Sequence, residues 1–305
     1  MKKKKSLLLP LTLAAIPTAV LLYMRKRQKE QAVVDALDGT GQTVLITGAT
    51  NGIGKALAFL FARHHFNIVA VARNEDKLFE LKMELENSHN IDVMTIAKDL
   101  SNPDAAKAIY DEVHAAGIEI SQLVNNAGAG KSGTLIETEP ETLNDLITLN
   151  VTSVTMLCRW FGQDMAKKRN GRILITSSIV AFLPDPYCNV YGPSKAYDLR
   201  LAETLYGELH DQGVEVCVLC PGPVKTGWSK NAGRSDSAFA GNVEEVAKAC
   251  FDGMQSGRLV ILPDSNAVFL HHVMPHLPAK VQALLCAKWE KGLLDRKNAA
   301  ELSAE

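Results

Sequence analysis

Tyr191 and Lys195 stand four residues apart in Tyr191-Gly-Pro-Ser-Lys195. At the start of a helix that spacing puts a phenol and an ammonium on one face. A phenol with an unperturbed pKa of about 10 is a reluctant acid or base near neutrality, and a neighbouring cation favours its phenolate. Such a pair suits the reduction of a carbonyl, which needs a proton for the developing alkoxide and a group that stabilises negative charge on oxygen. The pair recurs by chance in many chains, so it gains weight only from other residues in a fixed order. Tyr187 and Tyr197 have no lysine four residues on and are expected to pack.

A second pattern is Gly48-Ala-Thr-Asn51-Gly52-Ile53-Gly54, which follows an apolar strand and opens a helix. Gly48 allows a tight turn, Gly52 lets the backbone approach a pyrophosphate, and Gly54 lets helix and strand pack closely. The helix N-terminus then offers N–H groups and a positive dipole end to phosphates. The strand-to-helix context is what gives a glycine triplet meaning. At the end of the next strand stands Val69-Ala70-Val71-Ala72-Arg73-Asn74. An acid there would hold ribose hydroxyls, whereas a cation suits a 2′-phosphate, and Arg73 is the cation.

These residues need a scaffold, and the hydrophobic pattern supplies one. Strands are expected over 43–47, 67–72, 92–97, 122–125, 172–176 and 214–220. Helices are expected over 53–63, 76–85, 103–116 and 141–168, and after Tyr191. Strands alternating with helices of this length imply right-handed crossovers and a parallel sheet covered on both faces. The expected fold is therefore α/β, a single doubly wound parallel sheet of Rossmann type over residues 42–263. Residues 1–27 form an apolar N-terminal anchor helix in this reading, 28–41 a linker, and 264–305 an amphipathic C-terminal tail.

The spacing G-x-x-x-G-x-G differs from the G-x-G-x-x-G of common dinucleotide folds and resembles the short-chain dehydrogenase/reductase superfamily. The resemblance implies roles for further residues. Ser178, thirteen positions before Tyr191, matches the serine that hydrogen-bonds the substrate carbonyl, with Ser177 as its decoy neighbour. Asn150 matches an asparagine whose helix is locally distorted and holds a water in a proton relay to the lysine, and Lys195 also holds the nicotinamide ribose. Asp99 matches the adenine contact. Asn126 and Gly128, in Asn125-Asn126-Ala127-Gly128, support sheet and cofactor. Pro221, Gly222, Val224 and Thr226 belong to a loop at the nicotinamide end, and residues 227–241, with Trp228 and Phe239, form a substrate lid.

The resemblance thus implies an NADP(H)-dependent oxidoreductase passing hydride between nicotinamide and a carbonyl or secondary alcohol, most like the 3-oxoacyl-CoA reductase and hydroxysteroid dehydrogenase branch. A lipophilic small-molecule substrate follows by analogy. A homodimer or homotetramer is allowed. Two alternatives stay open: a reductase of small polar ketones, and a non-catalytic NADPH-binding sensor or scaffold.

Lys plus Arg number 33 against 34 Asp plus Glu, a balance that argues against a nucleic-acid partner. Six scattered cysteines in a chain this long fit a reducing compartment. Cys217 and Cys220 fall on opposite faces of a strand, which argues against a shared metal or disulfide. His271, His272 and His276 lack an acidic or cysteine ligand to complete a metal set, and no metal is expected. Asn150-Val-Thr152 fits a glycosylation sequon but lies within a helix.

Residues 7–24 are an almost wholly apolar run between Lys2–Lys5 and Arg25-Lys26-Arg27. No small-residue cleavage site follows, so an uncleaved membrane anchor is favoured over a signal peptide. Charge on both flanks sets orientation poorly, and Pro17 leaves a kinked span or a shallow insertion open. The catalytic domain is expected to face the cytoplasm, the side that holds NADPH. The apolar residues over 266–294 either cover the substrate pocket or lie on a membrane.

Overall fold

The structure, a computed structural model, describes residue 28, residues 31–233, 235 and 237, and residues 240–302. The chain divides into two units, Met1–Leu37 and Asp38–Glu305. In the first, residues 31–35 are helical. The anchor expected over residues 7–24 lies outside the described residues. Among the described residues, no helix is long and apolar enough to cross a membrane.

The second unit is built on seven parallel strands: β1 (Thr43–Thr47), β2 (Asn67–Ala72), β3 (Val93–Ala97), β4 (Gln122–Asn125), β5 (Gly171–Thr176), β6 (Val214–Leu219) and β7 (Val260–Ile261). Their order is β3-β2-β1-β4-β5-β6-β7. The strands read as near-continuous apolar runs because both faces are covered. Leu45, Val69, Val71, Leu123, Ile173 and Val216 join one cluster with Ile109 and Val113 of α3 (Ala105–Ala115), Leu157 and Phe161 of α5 (Ser153–Lys168), and Leu199 of α6 (Tyr191–Leu209). Alternate strand residues such as Ile46, Ile68 and Leu174, all buried, take the other face. Helices α1 (Gly52–Arg63) and α8 (Val243–Gln255) pack together, and Phe61 sits edge-on to both Phe66 and Phe251. The expected doubly wound sheet is the observed one.

Cys220 belongs to the first cluster and Cys217 does not, as opposite strand faces require. All six cysteines are buried thiols.

Three differences from the sequence expectation have local causes. Helix α2 (Glu75–His89) runs past Leu85, its last buried apolar residue, and stops where Asn90 adopts φ 51°, a left-handed cap. The single helix expected over 141–168 is α4 (Pro140–Ile147) and α5, joined by a π-turn at Thr148–Thr152. Strand β7 was not anticipated, since two residues carry no periodicity. Past it lie α9 (Ser265–Val273) and α10 (Ala279–Leu302), and before it the short α7 (Trp228–Asn231).

Candidate active site

The strand order reverses between β1 and β4, and in open α/β sheets the crevice at such a reversal, beyond the C-terminal strand ends, is where ligands bind. The chain places its chemistry there. β1 leads into the Gly48–Gly54 turn, β2 into Arg73, β3 into Asp99, β4 into Asn126, β5 into Ser178 and β6 into Pro221. One cavity of about 870 Å³ occupies this end. It is lined by Gly48, Asn51, Gly52, Ile53, Arg73, Asp99, Asn126, Gly128, Ser178, Tyr191, Lys195, Pro221, Gly222, Val224 and Thr226. Of the catalytic and cofactor-binding residues expected from the sequence, Asn150 and Gly54 stand behind its wall.

The glycine turn is held from both sides. Asn51 caps α1, its Oδ1 accepting from the Gly52 amide at 2.9 Å, while its Nδ2 donates to the Thr226 carbonyl at 3.0 Å. The turn is thereby fastened to the loop after β6. Gly52 has φ 52°, and a Cβ there would fall 2.8 Å from Thr226 Cβ. At Gly54 a Cβ would meet the Gly48 carbonyl oxygen at 2.3 Å, so close packing against the turn itself demands glycine. Asn126 closes the other side, its Nδ2 donating to the Thr47 carbonyl at 3.1 Å and its amide to Thr47 Oγ1 at 2.9 Å. The cradle fits a dinucleotide pyrophosphate: side-chain-free backbone, a helix N-terminus and rigid support.

Arg73 and Asp99 share the cavity's far end, with Nη1 and Oδ2 3.8 Å apart and both side chains largely exposed. Asp99 also accepts from the amide and hydroxyl of Ser101 at 3.0 and 2.9 Å, which orders its loop. An exposed pair of this length holds Arg73 weakly, leaving the guanidinium available to an anion.

At the opposite end, Ser178 Oγ accepts from the Val180 amide at 3.3 Å, so its own O–H remains a donor to the cavity. Ser177 is buried and donates to the Lys195 carbonyl at 2.7 Å, tying β5 to α6. That bond makes it a structural neighbour and leaves the site to Ser178. Tyr191 opens α6, with its ring 4.6 Å from that of Trp228 and 5.8 Å from Lys195 Nζ. Lys195 Nζ donates to the Thr176 carbonyl at 2.7 Å and to Asp198 Oδ2 at 2.9 Å.

The π-turn explains Asn150. It rotates a fully buried side chain so that Oδ1 accepts from the Ala129 amide at 3.0 Å, while Nδ2 donates to the Ala129 carbonyl at 2.8 Å and to Ser194 Oγ at 3.1 Å. The side chain thus fixes the strand-end turn at Gly128 and Ala129 and does not itself reach Lys195. A Cβ on Gly128 would lie 3.3 Å from Lys195 Nζ, so that turn is pressed against the ammonium.

Several features escaped the sequence reading. Asp198, fully buried beside Lys195, was not singled out, because an acid three residues after a lysine on a helix usually marks a solvated pair. Asp185 and Cys188 from the loop before α6, with Glu290 of α10, bring ligand-type atoms within 4.8 Å of one another. Among the described residues His271, His272 and His276 form no such group. His271 lies 4.4 Å from Phe182, and burial, then the neighbouring His272, lowers its pKa. Tyr197 does not pack as expected: it is exposed, with its hydroxyl 2.9 Å from Thr155 Oγ1. The tail does cover the cavity. Phe269, Leu270 and Met274 from α9 and its following turn, with Leu285, Cys286 and Trp289 from α10, line its outer wall. Trp228, Ser229 and Asn231 of α7 line it from the lid, whereas Phe239 lies outside the described residues.

Comparison with known proteins agrees with this geometry. The sequence model of the family described as short chain dehydrogenase matches residues 42–237. The chain is 36% identical over 199 residues to the 17-beta-hydroxysteroid dehydrogenase type 3 of Mus musculus, covering 64% of each protein. It is 34% identical over 201 residues to the very-long-chain 3-oxoacyl-CoA reductase of Scheffersomyces stipitis, covering 62% of this chain and 58% of that one. The chain therefore spans less than two thirds of the length of these curated relatives. Among solved structures, a short-chain dehydrogenase from Sphingobium yanoikuyae in complex with NADPH superposes with a TM-score of 0.70 at 30% identity, covering 83% of this chain and 95% of that one.

Proposed function

This chain belongs to the short chain dehydrogenase family, and on that premise we propose that it is an NADP(H)-dependent oxidoreductase interconverting a carbonyl and a secondary alcohol on a lipophilic small molecule. The observation that carries the reading is one cavity lined at one end by the glycine turn and Arg73, and at the other by Ser178, Tyr191 and Lys195. When bound, the nicotinamide supplies or accepts the hydride; this chain's residues do the rest. Gly48, Asn51, Gly52 and Ile53 would seat the pyrophosphate with Gly54 supporting the turn from behind, Asp99 would hold the adenine, and Asn126, Gly128, Pro221, Gly222, Val224 and Thr226 would bound the nicotinamide end. Ser178 donates its hydroxyl to the substrate oxygen, where negative charge develops. Tyr191 gives its phenolic proton to that oxygen in reduction and takes it back in oxidation. Lys195 lies close enough to favour the phenolate, and Asn150 holds the turn against which Lys195 is set.

The substrate end favours an apolar ligand. Leu183, Trp228, Phe269, Leu270, Met274 and Trp289 wall it. Burying such a surface against a small polar ketone would gain little. The relatives' names, a hydroxysteroid dehydrogenase and a 3-oxoacyl-CoA reductase, fit this wall, so 3-oxoacyl and ketosteroid-like compounds are the substrate classes to try. NADPH consumption should be followed against a panel of both classes and of small polar ketones. Turnover confined to the small polar ketones would sink the lipophilic assignment, and absence of all turnover would favour the sensor reading. In this reading the run at residues 7–24 anchors the enzyme to a membrane with its catalytic unit on the NADPH side.

The same assay tests the cofactor. Arg73→Asp is expected to lower the preference for NADPH over NADH by roughly 10- to 100-fold, the value of one charge-assisted hydrogen bond to a phosphate. An unchanged ratio of kcat/KM for the two cofactors would refute the role of Arg73.

A further inference from the structure

Asp198 lies one turn beyond Lys195 on α6, and its Oδ2 accepts from Nζ at 2.9 Å. Lys195 is 4% exposed and Asp198 0%. The other ion pairs among the described residues lie nearer the surface, with at least one partner a fifth or more exposed. An ammonium has three N–H groups. Asp198 and the Thr176 carbonyl engage two of them from behind, which directs the third towards the cavity that Lys195 lines.

The charge that acts on Asp198 is that of Lys195. Lys195 faces it from α6 itself, Cys158 from α5 and Cys220 from the end of β6, and Glu203, further along α6, acts on Cys220. Burial pushes both thiols up, Cys220 to about 12, so both are neutral near pH 7. Asp198 Oδ1 has no hydrogen-bond partner among the described residues, so Lys195 is what compensates the carboxylate. Burial raises its pKa, while the charge and hydrogen bond of Lys195 act the other way.

We propose that Asp198 is a positioning residue for Lys195: its ionised carboxylate is a fixed counter-ion that aims Nζ and sets how strongly the Lys195 charge is felt at the Tyr191 phenol. This rests on the reading of Tyr191 as the proton-transferring group. A negative charge behind the ammonium opposes the appearance of a second negative charge on the phenol. Removing it should make the phenolate form more easily, while leaving Nζ less firmly aimed.

The test is an absorbance titration of the phenolate in wild type, Asp198→Asn and Asp198→Ser, each compared with the same protein carrying Tyr191→Phe so that the difference reports Tyr191 alone. The neutral variants are expected to move the Tyr191 midpoint to lower pH by about one unit, as a charge several ångströms away in a medium of effective dielectric near 20 would require. The acid limb of the pH profile for alcohol oxidation should move the same way. A midpoint that stays put in the folded variants, even with lowered thermal stability, overturns the proposal and leaves Asp198 a structural residue. Should Asp198→Asn not fold, the smaller Asp198→Ser carries the comparison. Wild-type turnover is measured in parallel. Its absence would count against the functional reading alone, because the titration needs no substrate.

Discussion

Replacing Tyr191 by phenylalanine is expected to lower kcat by roughly 10²- to 10⁴-fold, the contribution of a positioned acid or base, with NADPH affinity changed by only a few-fold. The substitution removes one oxygen. The ring keeps its place 4.6 Å from Trp228, so the cavity wall and the lid contact survive. In the proposed mechanism the proton for the developing alkoxide is lost, while Ser178 would still polarise the carbonyl and the glycine turn would still seat the cofactor. NADPH binding followed by fluorescence, together with single-turnover reduction of the best panel substrate, separates these effects. A variant that binds NADPH normally yet turns over at the wild-type rate would remove Tyr191 from the mechanism and return the site to the sensor reading.

Much of this site is legible in the sequence because it sits at strand ends. Parallel strands buried on both faces are largely apolar along their length, so β1 and β2 stand out to the residue. Polar residues just past the C-terminal ends of such strands lie at the crevice; Arg73 was legible from that placement, whereas Asn126 and Ser178 came from the family resemblance. What was not legible depends on contacts between distant segments. The π-turn at Thr148–Thr152 comes from no local signal, since its residues also suit a regular helix; the family resemblance alone implied a distortion at Asn150, and the bonds from Asn150 to Ala129 show what holds it. Periodicity found amphipathic residues in the tail but not which surface they cover; α9 and α10 wall the cavity through residues scattered over both helices. Asp198 was invisible for a third reason. The spacing of a lysine and an acid is the same on a wet helix face as in a core, and only burial tells them apart.

That burial gives Lys195 a second, thermodynamic signature. Lys195→Met should abolish turnover and also cost about 3–5 kcal/mol of stability, because it leaves the Asp198 carboxylate buried without its partner. In a domain of this size the loss corresponds to a fall in Tm on the order of 10 °C. Its pH dependence has a definite sign. Without Lys195 the folded-state pKa of Asp198 rises further above the unfolded value of about 4, so the native state binds the extra proton. Stability of the variant should therefore be closest to wild type in acid and fall away as pH rises from about 4 through the folded pKa. The double variant Lys195→Met/Asp198→Leu removes both charges, and apolar replacement of a buried pair is often neutral or stabilising. It should recover most of the lost stability and none of the activity. Denaturant melts of the three proteins at acid and neutral pH decide the matter. A single variant as stable as wild type at neutral pH would mean that Asp198 is already protonated in the folded enzyme, which would overturn both this account of the pair and the role proposed for its carboxylate.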